Sequence, residues 1–92
     1  MVLGAEWSVL AVDLLTEASV VGFLTGSAAT ALAKERFGEG WAEPLRDILS
    51  ILEHDGYFRR DTAKYVFASG LLKDWWFRHL AFGYVPVSER GA

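Results

Sequence analysis

Cysteine is absent from the 92 residues, and histidine occurs only twice, at His54 and His79. The lack of thiols excludes a disulfide and a thiolate metal site, and the two histidines lie too far apart in sequence for metal-ligand spacing. No serine or carboxylate is spaced to complete a nucleophilic constellation with either histidine. We therefore predict a protein that is not an enzyme and that uses no metal or cofactor.

The sequence also has little that could cross a bilayer. The apolar segment 19–33 is bounded by Glu17 and Lys34 and is shorter than the roughly 20 residues that a transmembrane helix needs. No basic run precedes an apolar one at the N-terminus, as a secretory signal would require. These absences predict a cytoplasmic protein without a membrane partner.

Apolar and aromatic residues are plentiful by contrast. Hydrophobic residues make up 52% of the chain, which includes four Trp, three Tyr and six Phe. Such a composition argues against disorder, and the length fits a single domain. We predict one domain over residues 1–92, with its core within about 5–82 and a C-terminal tail at 83–92.

The first third of the chain is predicted to be a helix followed by a short extended segment. From Glu6 onward, apolar residues recur at the spacing of a helix with one buried stripe, and this places Asp13 and Glu17 on the outer side. The following "SVVGF", residues 19–23, is rich in β-branched side chains, which favours a short strand or an extended connection.

Capping residues delimit two further helices. Thr25 or Ser27 can accept a free backbone N–H at the start of a second helix. Pro44 suits the first turn of a third helix, where its missing N–H costs nothing, and Gly56 suits the C-terminal cap.

A β-hairpin and a last helix complete the predicted order. The runs 57–60 and 64–68 are aromatic and β-branched and flank a polar turn, and Ser69 can cap the final helix. Predicted core residues are Trp7, Leu10, Leu14, Leu49, Leu52, Tyr65, Phe67, Leu72 and Trp76. This order predicts an α+β winged helix, a helix-turn-helix with a β-hairpin wing and an additional C-terminal helix.

Within Pro44–His79, "LEHDGY" is followed by the hairpin and then by "YVFASGLLKDWW". The positions that carry this pattern are Leu52, Glu53, Asp55, Gly56, Tyr57, Tyr65, Phe67, Ser69, Leu71, Leu72, Asp74, Trp75 and Trp76. The combination resembles the winged-helix domain at the C-terminal end of archaeal-type and related signal-transduction AAA+ ATPases.

The resemblance implies a regulatory module and not a motor. The chain has no glycine-rich phosphate loop ending in Lys-Ser or Lys-Thr, and no acidic strand end that could hold magnesium. ATPase activity therefore does not follow from it. The expected function is a non-catalytic interaction module that binds another protein or a second copy of itself.

The alternative function is a small DNA-binding regulator that acts as a dimer. Residues 1–55 hold three basic and nine acidic groups, whereas residues 56–92 hold six basic and three acidic ones, so an anionic partner would prefer the second half. Candidate contacts to the DNA backbone are Arg46, Arg59, Arg60 and Lys64. Glu43, Asp47 and Glu53 on the third helix would repel phosphate, so the pattern favours a protein partner over DNA.

The C-terminal third also carries the candidate interface. Trp75 and Trp76 are adjacent on a helix, and core packing is the favoured interpretation of the pair over base stacking. Residues 82–87 are predicted to be ordered and extended, packed on their own domain or on another copy, because exposed apolar side chains are unfavourable. The candidate interface residues are Trp75, Phe82, Tyr84, Val85 and Val87.

Overall fold

Helix α1 (Ala5–Val21) opens the computed structural model, which describes residues 4–90. The ends of the predicted domain, residues 1–3 and 91–92, lie outside that range. The predicted apolar stripe is buried, but the helix continues through Val21 and ends at Gly22, whose φ of 102° suits a left-handed cap. The short strand or extended connection predicted at 19–23 is therefore wrong for residues 19–21, which are helical, and strand β1 comprises only Leu24–Thr25.

The outer position predicted for Glu17 is also wrong. The residue is 3% exposed, and its carboxylate lies under the C-terminal tail. Asp13 does lie nearer the surface, where it pairs with Arg36 at 3.2 Å. The difference arises because the C-terminal tail covers Glu17 and not Asp13.

Helices α2 (Gly26–Phe37) and α3 (Ala42–His54) follow, separated by a 3₁₀ turn at Gly38–Gly40. The Thr25 hydroxyl accepts the Ala28 N–H at 3.1 Å, so Thr25 is the cap of α2. Helix α3 ends in a Schellman motif, in which Tyr57 N–H donates to Leu52 C=O and Gly56 has a φ of 85°. The glycine predicted to end this helix is confirmed.

The predicted hairpin is present as strands β2 (Phe58–Asp61) and β3 (Lys64–Phe67). Both pair antiparallel with their neighbours in a three-stranded sheet of order β1-β3-β2. Phe58 pairs with Phe67 and both are buried, so alternation puts Arg60 and Tyr65 on the helix-facing side of the sheet. Residues 59, 61, 64 and 66 lie on the other side.

Helix α4 (Gly70–Leu80) packs across α1. Ser69 caps it as predicted, accepting Leu72 N–H at 3.3 Å. Trp76 Nε1 donates to Thr16 Oγ1 on α1 at 3.0 Å, and Leu72 packs against the core beside it. No residue of α4 is fully buried, so this helix lies on the domain surface.

The core lies where α1, α2, α3 and the sheet meet, and the whole is an α+β fold. Four of the predicted core residues are buried, namely Leu10, Leu14, Leu52 and Phe67. The others are partly buried and pack against that core: Trp7, Leu49, Tyr65, Leu72 and Trp76. Over residues 4–90, no helix is both long and apolar enough to cross a membrane.

Candidate interaction surface

The outer side of α4 and the residues just after it expose an unusual amount of apolar surface. Phe82 is 100% exposed and Leu71 is 85% exposed, while Trp75, Phe77 and Leu80 are each about half exposed at 49%, 54% and 45%. Only Trp75 and Phe82 of this group were predicted as interface residues. We call these five residues the α4 surface.

The α4 surface has two apolar rows with charge between them. Leu71 and Trp75 are one helical turn apart on one flank, and Phe82 follows the end of the helix. Phe77 and Leu80 lie on the other flank. The outermost positions between the rows are Asp74 and Arg78, also one turn apart.

The two tryptophans have different roles. Trp76, a predicted core residue, packs inward, and Trp75, a predicted interface residue, is half exposed, so core packing of the pair holds only for Trp76. Trp76 points to α1, whereas Trp75 faces outward and stacks on the His79 ring, with centroids 4.7 Å apart and planes 20° from parallel. His79 Nδ1 lies 2.8 Å from the Trp75 carbonyl oxygen. These contacts fix the outward Trp75 ring, and a fixed aromatic ring loses little entropy on binding.

The apolar area of the α4 surface is comparable to the largest apolar patch on a typical monomer. Aromatic side chains carry about 150–250 Å² each, so at these exposures Trp75, Phe77 and Phe82 together present roughly 400 Å². Leu71 and Leu80 add to that area. The largest apolar patch on a typical monomer is about 300–600 Å² and is often functional.

The C-terminal tail is held on the domain by the buried carboxylate of Glu17. Its Oε1 accepts the Tyr84 hydroxyl at 2.6 Å and the Val87 N–H at 3.0 Å, and Pro86 between them is buried. Arg90 adds an ion pair with Glu35 at 2.9 Å. Packing of the tail on its own domain thus agrees with the sequence prediction.

The predicted extended course of the tail is only partly right. The backbone turns at Phe82 and Gly83, where Gly83 has a φ of 76°, and forms a 3₁₀ turn at Val87–Glu89. The predicted interface residues therefore divide. Tyr84 and Val87 face their own domain, whereas Val85 is 48% exposed.

The half-buried Tyr84 makes the stability of the domain depend on pH in the alkaline range. Burial, together with the hydrogen bond to Glu17, raises the pKa of Tyr84 well above its usual value near 10. A raised folded-state pKa gives stability that is complete below pH 10 and is lost as pH rises through the folded pKa. In urea unfolding between pH 9 and 11.5, we expect Tyr84→Phe to lose less stability than the parent chain, and Tyr57→Phe to follow the parent. Parallel curves for the parent and Tyr84→Phe would contradict this.

The candidate DNA contacts do not form one face. Arg46 and Arg60 line a cleft of about 440 Å³ between α3 and the hairpin, and each lies 3.9 Å from an acid, Asp47 and Glu53 respectively. Arg60 also donates to the Tyr65 hydroxyl at 2.9 Å.

The other two cations lie on the opposite side of the sheet. Arg59 and Lys64 belong to the residues that alternate outward, and Lys64 Nζ lies 4.6 Å from the centre of the Phe23 ring. The structure therefore brings the four cations together only in pairs, and acids lie beside the pair in the cleft.

Comparison with protein-family models, with curated proteins and with solved structures found no match. Among residues 4–90, no three His, Asp or Glu side chains are grouped so that they could hold a metal ion. Sequence reasoning missed Leu71, Phe77 and Leu80 as surface residues and Glu17 as the anchor of the tail. The four-residue spacing of Leu71 and Trp75 places both on one face of the helix, and this spacing was the signal available for Leu71.

Proposed function

We propose that this chain is a non-catalytic protein-interaction module with a winged-helix fold. The element order α1-β1-α2-α3-β2-β3 and the sheet order β1-β3-β2 support that fold, with β2 and β3 as the wing and α4 as the additional helix. The proposal also agrees with the resemblance to the C-terminal domains of AAA+ ATPases, whose motor motifs this sequence lacks.

The observation that carries the proposal is the α4 surface. Its aromatic residues stand out from a helix that is anchored to α1 by Trp76, so the apolar area is presented on a firm support. Aromatic side chains and arginine are enriched where proteins bind each other, and both occur here with Arg78 between the rows. We infer that α4 contacts a protein partner through Leu71, Trp75 and Phe82.

DNA binding through the wing is the weaker alternative. A wing that binds phosphates needs cations on one accessible face, yet Arg59 and Lys64 lie on one side of the sheet and Arg46 and Arg60 on the other. Glu53 and Asp47 beside the second pair would repel phosphate. The α4 surface, in contrast, is mainly apolar and offers no row of cations.

Photo-crosslinking in cells tests the proposal. A benzoylphenylalanine introduced at position 71 samples the α4 surface, and the same amino acid at position 59 samples the outer side of the wing as the matched control. Both positions are exposed, so neither change should disturb folding. We expect a discrete protein adduct from position 71 and none from position 59. A nucleic-acid adduct from position 59, with none from position 71, would overturn the proposal in favour of the alternative.

A further inference from the structure

We infer that the partner of the α4 surface is a second copy of this chain, docked with its α4 antiparallel about a two-fold axis. The inference rests on the proposed function and adds the identity and geometry of the partner. Two-fold pairing uses the same surface on both copies, so that surface must be complementary to itself. The outer face of α4 meets this requirement, because Asp74 and Arg78 lie one turn apart at its centre with apolar residues beside them.

Antiparallel pairing generates the complementarity. Leu71 and Trp75 lie on one flank of α4, and Phe82 follows the end of the helix. When two copies of α4 run antiparallel, the start of each helix lies beside the end of the other. Leu71 is then brought towards the exposed Phe82 of the other copy, and Trp75 towards its Arg78, where a cation–π contact can form.

The charges at the centre of this face are also complementary when two α4 helices run antiparallel. Arg78 lies one turn after Asp74, so antiparallel pairing centred on these two residues places each Asp74 opposite the Arg78 of the other copy, and two ion pairs form per dimer. Among residues 4–90, neither Asp74 nor Arg78 forms a salt bridge within its own chain. Parallel pairing would instead place like charges together.

The α4 surface supplies a large part of the area that a dimer of ordinary size buries. A standard interface buries about 800 Å² on each partner, and the three aromatic residues of the α4 surface present roughly half of that. Leu71, Leu80 and the stems of Arg78 and Asp74 supply further area. A protein partner with a different surface would need no such internal symmetry, which is why the structure favours a second copy.

Charge reversal in sedimentation equilibrium tests the pairing. The parent chain should weigh 20.4 kDa, twice the monomer mass of 10.2 kDa. Asp74→Arg alone and Arg78→Asp alone place like charges opposite each other twice, and each should weaken dimerisation at least tenfold. An equimolar mixture of the two variants should form a heterodimer again, because each altered residue then faces its opposite charge. Arg59→Asp on the wing is the matched control and should leave the parent mass unchanged.

Each outcome decides the inference. Recovery of 20.4 kDa in the mixture supports antiparallel α4 pairing. A dimer that neither reversal weakens forms elsewhere and overturns it. A parent chain that stays at 10.2 kDa at high concentration also overturns it, but leaves the proposed function standing if position 71 crosslinks to a different protein.

Discussion

Replacing Trp76 by alanine should lower the free energy of unfolding by about 3 kcal/mol, whereas the same change at Trp75 should lower it by less than about 1 kcal/mol. Trp76 is the main anchor of α4, since it packs on the core and donates to Thr16. Trp75 is half exposed and touches mainly His79 and the edge of Trp76. The two adjacent tryptophans thus have different roles: Trp76 anchors α4 to the domain, and Trp75 is exposed for binding.

Thermal unfolding of dilute protein measures the difference. For a domain of this length, 1 kcal/mol corresponds to about 4–8 °C, so Trp76→Ala should lower Tm by about 12–24 °C. Trp76→Phe retains most of the packing and loses the hydrogen bond, which should cost about 1 kcal/mol. Equal losses at positions 75 and 76 would show that the two side chains share the anchoring role.

Replacing Glu17 by alanine should destabilise the domain by about 2–4 kcal/mol and free the tail. The change removes one carboxylate oxygen that accepts from both Tyr84 and Val87, so two donors lose their partner. Glu17→Gln keeps an oxygen that can accept both bonds and should cost only about 1 kcal/mol. Unfolding in urea gives the free energies.

Hydrogen exchange at the Val87 amide shows whether the loss of stability in Glu17→Ala is accompanied by release of the tail. Its N–H donates to Glu17, so exchange should be faster in Glu17→Ala than in the parent chain. The control is Asp13→Ala, which removes the more exposed carboxylate of the same helix and its pair with Arg36 and should cost less than about 1 kcal/mol. Unchanged Val87 exchange in Glu17→Ala would contradict the anchoring role.

Local signals in the sequence were sufficient for most of the element order. Thr25 and Ser69 cap helices by bonds to residues three positions away, and Gly56 ends α3 through its own backbone conformation. Such interactions depend on neighbouring residues only, so the sequence specifies them directly. The segment at 19–21 was predicted incorrectly because its β-branched residues favour strands, while the contacts of α1 with the rest of the fold keep it helical.

The site was harder to predict because it depends on contacts distant in sequence. The two partners of Glu17 lie 67 and 70 residues away, and a helical wheel contains no information about them. Helix α4 has large apolar residues on all sides, so its periodicity did not indicate that Leu71, Phe77 and Leu80 would be exposed. Only the packed structure shows the full composition of the α4 surface.

Hydroxyl-radical labelling of the chain inside cells, compared with the purified chain at low concentration, tests the central claim most directly. That claim is that a protein partner covers the α4 surface in cells. We expect Trp75 and Phe82 to be labelled in the dilute chain and protected in cells, while Trp41 in the cleft beside the wing is labelled equally in both. Equal labelling of Trp75 and Phe82 in both samples, with protection of Trp41 in cells, would contradict the account and place the binding site at the wing.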